Sequence, residues 1–465
     1  MVIISGIGTQ YILTHNLDKI DYGLIIVLID IALTIAILID FGVPTWAARI
    51  WDGKNKNIFP LVMRVVKLEF KLAIIFTTVS ILIGKIIFEG YDLKLFAIVM
   101  TAIGIMSINE PLRLGLRLLG KVQIESFSRG LERLIVLTSY LLLVHLDRLS
   151  LENIGYALII SSIITTFITF ISLLKYSIND TNHSFKIEIN EFQIIKESLP
   201  FCIGISVYPL LGRIDKLILA LNQNFDIVAN YNVAWIILVT GFIVPAMLRK
   251  SIVPMFAEDN RINKINENVL SSKALINSLI VIGIPISIII SYFFMNIIFP
   301  SEYLQNENGI RYISGLGLFI FLLPTWIWGM MSSTTLEAVK FFNNSWIFSG
   351  IVIISIIINL SVGLIFVNNF VIIGVSLGSI LSQFSIFLLA NIALNRQIGK
   401  TGEFFLIELI IGIILTLTLT LTGIYITTDT ISFYYLIIPT GTIIICYLVI
   451  ITKMDLIKYL SSGRS

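Results

Sequence analysis

The sequence predicts an all-α integral membrane protein of about fourteen transmembrane helices, parsed as two six-helix lobes followed by two further helices. Three observations predict it. Of 465 residues, 57% are hydrophobic and only 13% charged, with a mean hydropathy of +0.95, far from the composition of a water-soluble domain. Apolar runs long enough to cross hydrocarbon recur almost from end to end, and Lys and Arg collect in alternate connections between them. The runs are continuous and lack period-two alternation, which excludes a β-barrel.

A bilayer core of about 30 Å takes roughly 20 apolar residues in a helix. After a short first segment, Val2 to Leu13, such runs cover Leu24 to Ala48, Leu72 to Phe88, Leu95 to Leu112, Phe127 to Val144 and Ile154 to Leu174. They continue over Leu199 to Leu221, Val228 to Leu248, Ala274 to Phe299 and Tyr312 to Leu336. Trp346 to Val367, Val371 to Leu394, Phe404 to Thr427 and Phe433 to Thr452 complete the set. The polar stretch Tyr176 to Ser198 divides the chain near its middle. The expected organisation is therefore a first lobe over 1–177, a cytoplasmic linker over 178–198, a second lobe over 199–397, and the last helix pair with its tail over 398–465.

Basic residues give the orientation, because Lys and Arg favour the cytoplasmic side. With the N-terminus inside, all but seven of the 32 Lys and Arg fall in cytoplasmic segments; the seven are Lys19, Lys85, Lys94, Arg148, Arg213, Lys216 and Arg311. Both termini are expected in the cytoplasm, and the protein is expected as a multi-pass component of the plasma membrane. Met1-Val-Ile-Ile-Ser-Gly has no basic lead, so no cleavable signal peptide is expected. The net charge of +3 gives no electrostatic basis for nucleic-acid binding. His15, His145 and His183 are isolated, so neither a metal site nor another cofactor is expected.

Soluble catalytic patterns are nearly absent. Gly374-Val-Ser376-Leu-Gly378 has the spacing of a nucleophile elbow, but it lies in an apolar run without a histidine nearby. It reads better as two small residues one turn apart on a helix-packing face. Charges inside spans are costly and usually pair or line a cavity, so they form the shortlist of functional residues. Asp30 has no basic residue three or four positions away and is the candidate for ion coupling, to a proton or sodium; the alternative is a hydrogen bond to a neighbouring helix. Arg213, Asp215 and Lys216 share one turn with one positive charge in excess, and with Arg49 they are the candidate substrate-binding residues of a cavity. Arg113 and Arg117, near Glu110, read as anchors at the membrane surface. A cationic pocket of low dielectric would suit a diphosphate, with Arg giving bidentate contacts.

Three blocks carry a resemblance. The first is Leu17-Asp-Lys-Ile-Asp-Tyr22-Gly23 with Ile39-Asp40-Phe-Gly42 and Arg49. The second is Arg213-Ile-Asp215-Lys216-Leu-Ile-Leu, then Ala229-Asn-Tyr231-Asn-Val-Ala234 and Ile252-Val-Pro254. The third is Asn359-Leu with Gly363, then Ile373 to Ser379 and on to Gln383. In order and spacing these resemble the polysaccharide-exporter and lipid-linked-oligosaccharide flippase branch of the MATE-like superfamily. The resemblance implies two six-helix lobes around a central cavity, alternating access, and a non-enzymatic flippase for a polyprenyl- or dolichyl-(di)phosphate oligosaccharide. Its implied partners are that lipid-linked oligosaccharide, membrane lipid and glycan-assembly proteins. One rival is a proton- or sodium-coupled drug or metabolite exporter of the same superfamily. The other is a membrane polymerase or ligase, which the short outer connections disfavour.

Overall fold

The computed structural model describes residues 2–51, 58–87, 93–177, 190–202, 208–222, 224–243, 262–304, 314–342, 345–398, 402–425 and 441. Among them there are helices and turns but no strand. The expected last helix, Phe433 to Thr452, and most of the 178–198 connection lie outside the described residues. Among the described residues, seven helical stretches are long and apolar enough to cross a membrane. The chain divides into two compact units, Met1–Arg213 and Ile214–Ser465.

The first unit holds α1 (Val2–Asn16), α2 (Lys19–Asp40), α3 (Val43–Ile50), α4 (Phe59–Ile87), α5 (Leu93–Leu118), α6 (Val122–His145), α7 (Leu151–Ser177) and α8 (Glu191–Phe201). α5 is the centre of the unit and packs against α2, α4, α6 and α7. The run expected as one helix from Leu24 to Ala48 is broken: Phe41 and Gly42 take positive φ values of 47° and 71°. Such values suit Gly42, which has no Cβ to clash. Asp40 Oδ1 accepts from the Gly42 N–H at 3.0 Å, and Pro44 in the first turn of α3 restarts the helix. Val43, Trp46 and Ala47 of α3 then join Leu61, Val62, Leu112, Leu173 and Ile194 in a core that ties α3, α4, α5, α7 and α8 together.

The second unit holds α9 (Ile214–Leu221), α10 (Phe225–Gly241), α11 (Ile262–Ile298), α12 (Gly315–Phe342), α13 (Ser345–Phe370), α14 (Ile372–Ile398) and α15 (Gly402–Tyr425). α12 is its axis, packing against α10, α11, α14 and α15, and its apolar window is buried on every side. α13 and α14 approach closely because the facing positions are glycines. A Cβ at Gly374 would lie 2.7 Å from the Phe366 carbonyl, and one at Gly378 would lie 2.9 Å from the Asn359 carbonyl oxygen. The span expected over Leu199 to Leu221 is interrupted as well: α8 ends at Phe201 and a 3₁₀ turn, Tyr208–Gly212, precedes α9. Pro209 in that turn has no N–H for a helical ladder.

Large apolar side chains are displayed rather than hidden on several helices. On α15, Leu406, Ile410, Ile413, Ile414, Leu417 and Leu421 are all exposed, and on α4 so are Phe70, Ile74, Ile75, Leu82 and Ile83. Stripes of that extent are unfavourable in water and matched by lipid. The protein is a multi-pass membrane protein.

Candidate functional site

In the first unit the candidate residues Asp30 and Arg213 meet. Asp30 sits midway along α2, and Arg213 follows the 3₁₀ turn, its N–H donating to the Leu210 carbonyl at 2.8 Å. Arg213 Nε lies 3.8 Å from Asp30 Oδ1, with the side chains 20% and 10% exposed. At that distance the two attract as ions without a formed hydrogen bond, and Arg213 Nη1 is buried with no hydrogen-bond partner among the described residues. The guanidinium is therefore held loosely and keeps unused donors. The positive charge that is in excess within the Arg213 turn is answered here by a carboxylate from α2.

Asp215 and Lys216 open α9 in the second unit and are both buried. Asp215 Oδ2 accepts from the Tyr231 hydroxyl of α10 and the Ser379 hydroxyl of α14, and the Asn359 amide of α13 acts on the same carboxylate. Four helices thus converge on one acid. Lys216 Nζ donates to Asn232 Oδ1 of α10 at 3.1 Å. Tyr231, Ser379 and Asn359 received no role from the sequence alone. Their signal was present, since each lies in a family-like block, but nothing in one sequence says which polar residues of a block share a carboxylate.

Arg49 is exposed in the last turn of α3. Asp30 lies about 15 Å before the end of α2 by helical rise, and Arg49 belongs to the separate helix α3 that follows the Phe41–Gly42 break. Arg113 departs from the expected surface anchor. It is 1% exposed and donates to Glu110 Oε1 at 3.0 Å and to Glu132, while Ser128 of α6 bridges onward to Thr169 of α7 at 2.6 Å. Arg117, which is half-exposed, pairs with Glu125 at 2.7 Å rather than with Glu110. These charges lock α5, α6 and α7 together.

A family model described as polysaccharide biosynthesis protein matches residues 2–259. No curated protein matches the chain. Among solved structures, the lipid II flippase MurJ in an inward closed conformation is similar at 15% identity and TM-score 0.62, over 99% of this chain and 98% of that one. An inward-facing multidrug resistance MATE family transporter of the MOP superfamily is similar at 16% identity and TM-score 0.62, over 86% and 96%. A MOP superfamily transporter from Pyrococcus furiosus is similar at 14% identity and TM-score 0.56, over 86% and 93%. At these identities the likeness is one of fold: the chain shares the fold of these solved structures.

Proposed function

Since the chain belongs to the polysaccharide biosynthesis protein family, we propose that it is a flippase carrying a lipid-linked oligosaccharide, on a polyprenyl or dolichyl (di)phosphate, from the cytoplasmic to the outer face by alternating access. The observation that carries this reading is the Arg213–Asp30 pair on a transporter fold. A phosphate offers a guanidinium two short, parallel hydrogen bonds, against a carboxylate held at 3.8 Å. An arriving diphosphate takes over Arg213, and Asp30, losing its counter-charge, takes up a coupling proton or sodium ion. When the phosphate leaves on the far side, Asp30 returns to Arg213 and the ion is released. No bond of the glycan is made or broken, so the protein works as a transporter rather than an enzyme, alongside membrane enzymes that assemble the glycan. Both termini face the cytoplasm of the plasma membrane in this reading.

Surface-glycan export in cells tests it. Arg213→Ala should abolish export at near-normal protein abundance, and Arg213→Lys should restore little, because an ammonium lacks the planar fork. Wild-type export by Arg213→Ala would refute the assignment. Extrusion of organic cations in place of glycan export would favour the drug-exporter reading, which shares the fold.

A further inference from the structure

α4 carries an acid that none of the pairings above uses. Glu69 is 0% exposed, and neither of its carboxyl oxygens has a hydrogen-bond partner among the described residues. Its level in the unit follows from the antiparallel packing of α4 on α5. Gly84 meets Phe96, Gly104 meets Thr77 and Gly115 meets Val62; carried along the helices, that register sets Glu69 opposite Glu110. The charges acting on Glu69 are those of Glu110 on α5 and Asp40 at the end of α2. On the same turn of α5, Asn109 is 0% exposed and neither atom of its amide is hydrogen-bonded.

The three carboxylates are not equivalent. Glu110 accepts from Arg113 at 3.0 Å and from Arg129 at 3.0 and 2.7 Å. Asp40 accepts from the Gly42 N–H. Among the described residues, Glu69 has neither cation nor donor. Among the other charged groups of its own helix and of the helices packed on it, Arg64, Lys67 and Lys71 of α4, Arg49 of α3, Arg117 of α5 and Lys175 of α7 make no ion pair with it. A bare carboxylate out of water beside two further carboxylates is strongly unfavourable, and one added proton removes both the desolvation and the repulsion.

We propose that Glu69 is a proton-binding site of the N-terminal unit, its carboxylate taking a proton from water to stand as a carboxylic acid between α2, α4 and α5. The ligand is a proton rather than a metal ion, because among the described residues no three acidic, His or Cys side chains stand close enough to hold one. The O–H bond formed on Glu69 replaces one broken in a hydronium ion, which leaves as water. Its use in transport rests on the flippase reading, whereas the bound proton is a property of this unit alone.

Infrared difference spectroscopy of the full chain in lipid nanodiscs, titrated from about pH 5 to about pH 9, tests it. A protonated-carboxyl stretch that persists at neutral pH, shifts in heavy water and is missing from Glu69→Gln is expected, and Asp30→Asn should keep that band. Glu69→Gln keeps the side chain's shape, and Glu69→Leu, which needs no donor either, supplies a second folded variant that should lack the band. A neutral-pH spectrum without the band, a band unchanged in both variants, or a band abolished by sodium at fixed pH would overturn the proposal. If the band maps to Glu69 while lipid flipping is absent, the proton site stands and the transporter reading falls.

Discussion

Removing one half of the Lys273–Glu408 pair should cost far more than removing both halves. Lys273 of α11 and Glu408 of α15 are 1% and 2% exposed with their charged atoms 2.9 Å apart. Lys273 also donates to Asn391 Oδ1 at 2.7 Å, and Asn277 Nδ2 donates to Glu408 Oε1 at 2.9 Å. At an effective dielectric of about 20 the attraction is about 6 kcal/mol, and the desolvation of two ions, several kcal/mol each, offsets it. The intact pair is therefore near neutral in stability, while a single variant strands a buried charge. Glu408→Gln or Lys273→Met should each destabilise by about 3–5 kcal/mol, about two to four decades in the unfolding equilibrium constant. The double variant Lys273→Met with Glu408→Leu should lie within about 1–2 kcal/mol of the native chain. Equilibrium unfolding in mixed micelles, followed by circular dichroism, reads all four proteins. Single losses that simply add in the double variant would refute the reasoning.

Arg113→Ala leaves Glu132 buried without its cation and should lower stability by about 3–5 kcal/mol, read as reduced abundance and earlier unfolding. Arg113→Lys should recover only part, since one ammonium cannot reproduce the contacts to Glu110, Glu132 and Ser128. Glu125 opens α6 ahead of its apolar run. Burial opposes its ionisation, but hydrogen bonds from Arg117 and Arg129 outweigh that and hold its carboxyl below the usual glutamate range. The resulting stabilisation is complete above the unfolded value of about 4.3 and is lost as pH falls through the depressed folded value. Glu125→Gln should accordingly flatten the acid arm of a stability–pH profile. Gly378→Val should cost at least about 1–3 kcal/mol, because the new carbons meet the Asn359 backbone. Gly350→Ala on α13, where nothing lies within 4 Å, should instead stabilise by about 0.5–1 kcal/mol; thermal unfolding of the two variants compares them.

The helices were legible because bilayer-length apolar runs leave few alternatives, and the small residues Gly374 and Gly378 announced a close helix crossing. Helix breaks were less visible. Phe41-Gly42 and the Tyr208–Gly212 turn sit inside apolar runs, where hydropathy is blind to a left-handed residue or a 3₁₀ turn. Among the candidate residues, each charge could be found but not its partner. Asp30 has no basic neighbour on its own helix, and its ion pair comes from a turn far along the chain. Asp215 and Lys216 cancel on paper, yet each turns to different polar residues of α10, α13 and α14. Glu69 is inconspicuous in the sequence for a related reason. Between Lys67 and Lys71 it reads as part of a solvated face, but the helix turns both lysines outward and buries the acid.

Flipping in proteoliposomes tests the central claim most directly. Vesicles containing a fluorescent polyprenyl-diphosphate oligosaccharide in both leaflets are treated with a membrane-impermeant quencher. The native chain should expose nearly all of the label, while Arg213→Ala vesicles, like protein-free ones, should stop at about the outer-leaflet half. Equal quenching by the native chain and the variant, or no flipping above protein-free vesicles, would contradict the account.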